Sequence, residues 1–370
     1  MGRCPKGCKG SLSIPLDQAL GLSAHQQSSE ELMRLGCLLS VVMPYEWASW
    51  MLGQWSGLTV SAATLWNWVQ LKGAQAQAPL DEALANQADG GRVVAEPLPD
   101  ALATLTLAIG ADGVMVPFRP QPKTARGKTR WREVKVAILA RLGQRLNRTQ
   151  QSVPQLLHRR LVAVLGDIDQ FIPQLQLEAQ KQAVEAAPHV LWLSDGGPGF
   201  WRVYRTCFAP CAVAILDFFH AAGHLWRATT ALFDDPDSPQ AHAWFQRWRH
   251  QLRHGQHRTV LQSLTSLLNS DLLQGQAFTT LMQVQTYFQR HHRHIRYQNF
   301  EQSQFPLGSG MVESACKWLI QQRFKGVGMR WSEDGFNHLL LLRLAWVNQR
   351  FDALFPSVPT PIQSSPPLAD

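Results

Sequence analysis

Val190-Leu191-Trp192-Leu193-Ser194-Asp195-Gly196-Gly197-Pro198-Gly199 decides how this chain folds. Residues 189–194 are an apolar run too short for a helix and read as a buried strand ending at Asp195. The Gly-Gly-Pro-Gly turn then feeds a helix that carries on to Cys207. The pattern repeats: residues 212–216 read as a second strand ending at Asp217, followed by a helix over 218–233. Upstream, residues 105–111, 114–118 and 134–142 read as strands and 167–186 as a helix. Strands followed by alternating helix and strand imply a mixed α/β sheet. In such sheets the ends of the strands are where active-site groups collect.

Three isolated carboxylates stand in suitable places. Asp112 lies in Gly110-Ala111-Asp112-Gly113 and Asp195 follows its strand. Glu313 falls in the first turn of a helix within Leu307-Gly308-Ser309-Gly310-Met311-Val312-Glu313-Ser314-Ala315-Cys316-Lys317. Two-metal phosphoryl transfer needs oxygen ligands that hold two Mg²⁺ ions roughly 3.5–4 Å apart. Mg²⁺ keeps waters and substrate phosphates as its other ligands, so three acids suffice. The small neighbours of Asp112 would leave room for a phosphate. Each acid alone has an ordinary reading as well: Asp112-Gly113 as a hairpin turn, Asp195 as a helix cap, Glu313 as the partner of Lys317 at i,i+4. Asp167/Asp169 and Asp234/Asp235/Asp237 fit helix starts and loops better than a shared metal.

Charge placement adds to this. The net charge is +8, and between Arg119 and Arg160 twelve Lys/Arg, among them Lys128, Arg130 and Arg132, face Glu133 alone. From Ala243 to Phe300 seven arginines face Asp271, with His250, His254, His257, His291, His292 and His294 besides. Such concentration suits a polyanionic partner. Hydrophobic content of 45% with 17% charged residues describes a globular chain. The apolar runs 35–43 and 339–347 are too short to span a bilayer. The charged start has no apolar core of a signal peptide, and six cysteines then suit reduced thiols, so a cytoplasmic protein is expected.

Organisation follows from composition. Residues 26–73 read as a helix-turn-helix-like domain, with Ser29 and Ser61 as caps, Pro44 ending the first helix, and the third stopping before Gly73. Residues 74–101 look like a linker and 102–233 like the first part of the sheet domain. Residues 234–304 lack strand periodicity and read as a helical insertion. The sheet domain resumes at 305–352, and 353–370 is a Pro/Ser-rich tail expected to be disordered.

Ser194-Asp195-Gly196, Ile215-Leu216-Asp217-Phe218-Phe219-His220-Ala221-Ala222-Gly223-His224-Leu225, Gly308-Ser309-Gly310-Met311-Val312-Glu313-Ser314 and Arg330-Trp331-Ser332 together resemble the bacterial DDE transposases of the Kra insertion-sequence family, related in fold to the Mutator-like group. The resemblance spans residues 3–350. It implies an RNase H-like fold with a helical insertion, and Asp112, Asp195 and Glu313 as ligands of two Mg²⁺, replaceable by Mn²⁺. It also implies Asp217 and His220 as a supporting Asp-x-x-His pair, and Lys317, Arg323, Lys325 and Arg330 as phosphate contacts. The implied activity is cleavage at element ends followed by strand transfer. The implied partners are terminal-repeat and target DNA, with a homodimer or higher assembly on DNA near the nucleoid. Relatives carry a zinc-ribbon-like element at the N-terminus. Here residues 1–25 retain Cys4 and Cys8, and two cysteines cannot close a tetrahedral zinc site. A nuclease without strand joining, and an inactive DNA-binding remnant, are the alternatives.

Overall fold

The computed structural model describes residues 28–120, 128–270 and 273–355. The expected zinc-ribbon remnant with Cys4 and Cys8, and the tail beyond residue 355, lie outside the described residues. The chain divides into two units. One is Asp81–Arg330, and the other combines Met1–Leu80 with Trp331–Asp370.

The first helices form as the capping residues dictate. Ser29 accepts from the Leu32 amide to start α1 (Glu30–Val42). Pro44 precedes α2 (Tyr45–Ser56), which ends at Gly57 in a left-handed conformation, φ 69°. Ser61 caps α3 (Ala62–Ala88) through the Thr64 amide. α3 does not stop at Gly73; it runs through Pro79 and takes up the first half of the expected linker.

After a short α4 (Asp100–Ala103) come β1 (Leu107–Phe118), β2 (Arg130–Leu146) and β3 (Ser152–Leu165). α5 (Ile168–Lys181), β4 (Val190–Ser194), α6 (Pro198–Val203, prolonged by a π-helical turn), β5 (Ala212–Leu216) and α7 (Phe218–Leu232) follow. The sheet order is β3-β2-β1-β4-β5. The β1–β2 and β2–β3 pairs are antiparallel, and the β1–β4 and β4–β5 pairs parallel. This is the mixed α/β sheet of an RNase H-like fold. β4 is buried along its whole length, as a strand covered on both faces must be. Trp192 stacks on Phe208 at 5.5 Å beneath α6, while Phe171 and Leu175 of α5 fill the core.

One expectation changes here, and one strand is new. Asp112-Gly113 is no turn, because the ladder runs on unbroken with Asp112 opposite Val136 and Gly113 opposite Lys135, fusing two expected strands into β1. β3 is not among the expected strands; its residues 152–159 are exposed or half-buried without clear alternation and include Pro154, His158 and Arg159.

The insertion contains α8 (Pro239–Arg253), α9 (His257–Leu268), α10 (Gly275–Arg290) and α11 (Tyr297–Gln302). Among its described residues there is no strand, as the periodicity predicts. α8 and α10 both pack on α7. α12 (Gly310–Ala315) continues as a π-helical turn to Gln321 and a last turn to Phe324.

α13 (Glu333–Val347), capped by Ser332, packs on α1 and belongs with the helical unit, so the expected 305–352 segment divides at Trp331. The reason lies at Gly73. A Cβ there would sit 2.4 Å from the His338 Cβ, so glycine lets α3 and α13 cross in direct contact. The cations of this unit are consumed internally: Lys72 bonds Glu30 at 2.9 Å, Arg34 pairs with Glu31 and Asp352, and Arg343 donates to the Val41 carbonyl. No Lys or Arg among its described residues is exposed, whereas Trp47, Trp50, Trp55 and Trp66 are. The expected helix-turn-helix-like segment thus folds as three helices, and its described residues lack the exposed cations that phosphate contact requires.

Gly73→Ala tests that crossing. Alanine raises helix propensity, yet overpacking against His338 should cost about 1–3 kcal/mol in urea unfolding. Equal or greater stability would show that α3 and α13 do not cross at this residue.

Candidate active site

Strand register brings the first two acids together. Gly110 pairs with Leu193 across the parallel β1–β4 ladder, and continuing that register by two residues sets Asp112 abreast of Asp195. The third acid arrives on α12. A Cβ on Gly110 would lie 2.8 Å from Met311 Cε and 3.2 Å from Val312 Cβ, so glycine lets α12 lie this closely on β1 without Met311 and Val312 giving way. The space beside Gly110 is therefore filled by Met311 and Val312, and that beside Gly113 by the Glu133 carboxylate, rather than being left for a phosphate.

Asp217 secures this arrangement. Only 1% exposed, it caps α7 by accepting from the His220 amide at 2.7 Å, and its other oxygen accepts from the Ser309 amide and hydroxyl. Its own amide donates to the Ser194 carbonyl at 3.0 Å, next to Asp195. Burial pushes the Asp217 carboxyl up, but the donors from His220 and Ser309 outweigh it and hold the pKa at about 2. His220 Nδ1 lies 3.2 Å from the same carboxylate, which raises the imidazole's pKa against the opposing effect of burial.

The acids feel one another. Burial is the main cause lifting the Asp112 carboxyl above its usual range; the Gly113 amide opposes it, and the charges of Asp195 and Glu313 add to it. Asp217, His220 and Glu313 offer ligand atoms within 4.8 Å of one another, a group able to hold a metal ion. Both oxygens of Asp217 are already taken by protein donors, so it fits the role of orienting His220 better than that of a ligand. Cys316 nearby is pushed up to about 12 by burial and by Asp112 and Glu313, and stays a thiol. Cys37, Cys207 and Cys211 are free as well.

Asp112 and Asp195 open into a pocket of about 490 Å³ lined also by Glu133, Lys135, Asp167 and Gly197. Lys135, 8% exposed, bonds Glu133 at 2.8 Å and the Gly166 carbonyl at 2.9 Å. Sequence reasoning passed over it, although a lysine inside the apolar run 134–142 was the available signal. Of the expected phosphate contacts, Lys317, Lys325, Arg330, Lys128 and Arg130 are exposed. Arg132 is half-buried over the Phe118 ring. Arg323 is 1% exposed against Phe324, and burial removes it from that role. Lys325 lies 5.5 Å over the exposed Trp131 ring, and Arg119 donates to the Arg330 carbonyl, gathering these cations at one end of β2.

Neither a protein-family model nor a curated protein matches the chain. Among solved structures, the Drosophila P element transposase strand transfer complex is similar at a TM-score of 0.37 and 12% identity, over 92% of this chain and 96% of that one.

Replacing Asp217 with Ala should orphan its buried donors and cost roughly 2–4 kcal/mol at pH 7. Because its folded pKa of about 2 lies below the ordinary 3.8, its contribution is complete above about pH 4 and fades as pH falls toward 2. Urea unfolding of both proteins at pH 7 and pH 3 should show the gap narrowing. A gap that widens with acid would contradict the clamp.

Proposed function

We propose that this chain is a DDE-type transposase of the Kra insertion-sequence kind, cutting DNA at element ends and joining the freed 3′-OH to target DNA. The observation that carries this reading is the convergence of Asp112, Asp195 and Glu313, from three distant segments, on one side of a mixed sheet. Their mutual repulsion fits a site built for divalent cations. Mg²⁺, or Mn²⁺ in its place, would supply activation of the attacking oxygen and neutralisation at the leaving oxygen.

The chain's own residues do the rest. Asp112, Asp195 and Glu313 present anionic oxygens from rigid elements. Asp217 orients His220 through Nδ1, which leaves Nε2 available beside the acids. Lys128, Arg130, Lys317, Lys325 and Arg330 hold phosphates, and the Trp131 face offers a stacking surface for a base. Assembly as a homodimer or higher on DNA belongs to the same reading. A nuclease that cuts without joining is the second reading. It is favoured by one observation, the absence of exposed Lys or Arg among the described residues of the helical unit, whose helix-turn-helix-like segment is the expected DNA-binding domain.

Incubating the protein with candidate element ends and Mg²⁺ separates the two, since strand-transfer products arise only in the first. Asp112→Asn, Asp195→Asn and Glu313→Gln should each drop cleavage to background, with a double variant no worse than a single one. DNA affinity should persist in a salt-titrated binding assay. Glu313→Gln cutting at the wild-type rate would sink the assignment. His220→Ala should retain cleavage at about 10–100-fold lower rate, and full activity would return His220 to a packing role.

A further inference from the structure

We infer that Tyr287, on α10 of the helical insertion, is a positioning residue for Asp195, so that the insertion sets the geometry of the acid centre. The inference rests on the reading of Asp195 as a metal-binding acid. Three contacts carry it. The Tyr287 hydroxyl donates to the Asp195 main-chain carbonyl at 3.0 Å. Its ring lies directly over Gly196, which has φ +95°; a Cβ there would sit 2.7 Å from Tyr287 Cε2 and 2.8 Å from its oxygen. Glycine at 196 is thus required twice, for the left-handed backbone and for the ring's approach. His224 of α7 stacks on the same ring, with centroids 3.7 Å apart and planes 18° apart, so the ring is clasped between α7 and the turn.

This position matters because Tyr287 bonds the main chain of the acid, while the other bonds of the turn reach its side chain and its neighbours. The Asp195 side chain accepts from the Gly197 amide at 2.9 Å and from the Ser194 hydroxyl at 3.5 Å, and the Ser194 carbonyl accepts from the Asp217 amide. The direction of the Asp195 carboxylate then depends on where its own peptide plane is fixed, and Tyr287 fixes that plane. A hydrogen bond to the group next to a metal-binding carboxylate acts on metal affinity as well as on stability. Burial keeps the phenol protonated, so it serves as a donor throughout the neutral range.

Tyr287→Phe in the full chain keeps the ring over Gly196 and the stack on His224 while removing only the donor. Two measurements without DNA read the result. Mn²⁺ binding followed by electron paramagnetic resonance should weaken about 10–100-fold. Amide exchange across residues 194–199 of the metal-free protein should quicken about tenfold, the effect of losing one hydrogen bond of ordinary strength. A merely structural tyrosine would lower thermal stability and leave Mn²⁺ affinity where it was. If either Mn²⁺ affinity or exchange equals wild type, the inference is overturned. Should both change while wild-type protein neither cuts nor joins DNA, the transposase reading fails and the positioning role stands. If wild type cuts and joins DNA but the variant matches it in both measurements, the positioning role fails alone.

Discussion

One buried carboxylate ties the architecture together. Asp217 ends β5, caps α7, bonds through its amide to the end of β4, and receives both donors of Ser309 four residues before Glu313. The chain must travel from residue 233 through an insertion whose described residues form four helices and return before that last bond can form. The long return is therefore closed by charge-assisted hydrogen bonds in a place with almost no water. Such bonds are stronger than neutral ones, and their directionality sets where a helix begins. Gly308 makes the closure feasible, because a Cβ there would meet the Phe219 ring at 3.0 Å.

The insertion is joined to the sheet by more than packing. Leu216 donates to the His294 carbonyl, and Phe218 to that of Leu307, so the chain entering and leaving this region is stitched to the β5–α7 corner. His291 and His294 lie against Trp201, with centroids 4.6 and 4.4 Å away. Burial lowers both to about 4, and His224 as well, leaving them neutral near pH 7. The histidine richness that suggested positive charge is thus in part an aromatic scaffold, while the exposed arginines of the insertion keep the charge.

What the sequence made legible follows from where physics is local. β4, β5 and α7 appear nearly at their expected bounds, since an apolar run ending at an acid and followed by a cap is a short-range signal. The three acids were visible as isolated carboxylates, but their approach depends on register across β1 and β4 and on Gly110, which no window of sequence contains. β3 was hidden because its outer half is only exposed or half-buried and carries proline and charge. Gly73 misled for the opposite reason: a glycine needed for helix crossing looks, in one dimension, like a helix stop. Arg323 is a phosphate contact by what the resemblance implies, and its burial argues against that role. Tyr287 carried no local signal, being one aromatic in an amphipathic helix.

Charge is divided in a way that constrains how a polyanion could be held. The helical unit spends each described Lys and Arg on internal carboxylates, carbonyls or partly buried positions, and shows solvent a set of indoles instead. The sheet unit keeps exposed cations at the start of β2 and in the loop after α12. Electrostatic affinity for DNA comes from cations that release counterions from phosphates, which buried and paired cations cannot do. Exposed tryptophans act by area and stacking, and large apolar patches on a surface mark contacts with other macromolecules. Within the described residues, then, the exposed cations of the sheet unit lie in the same unit as the acids, and the helical unit shows solvent indoles in place of cations.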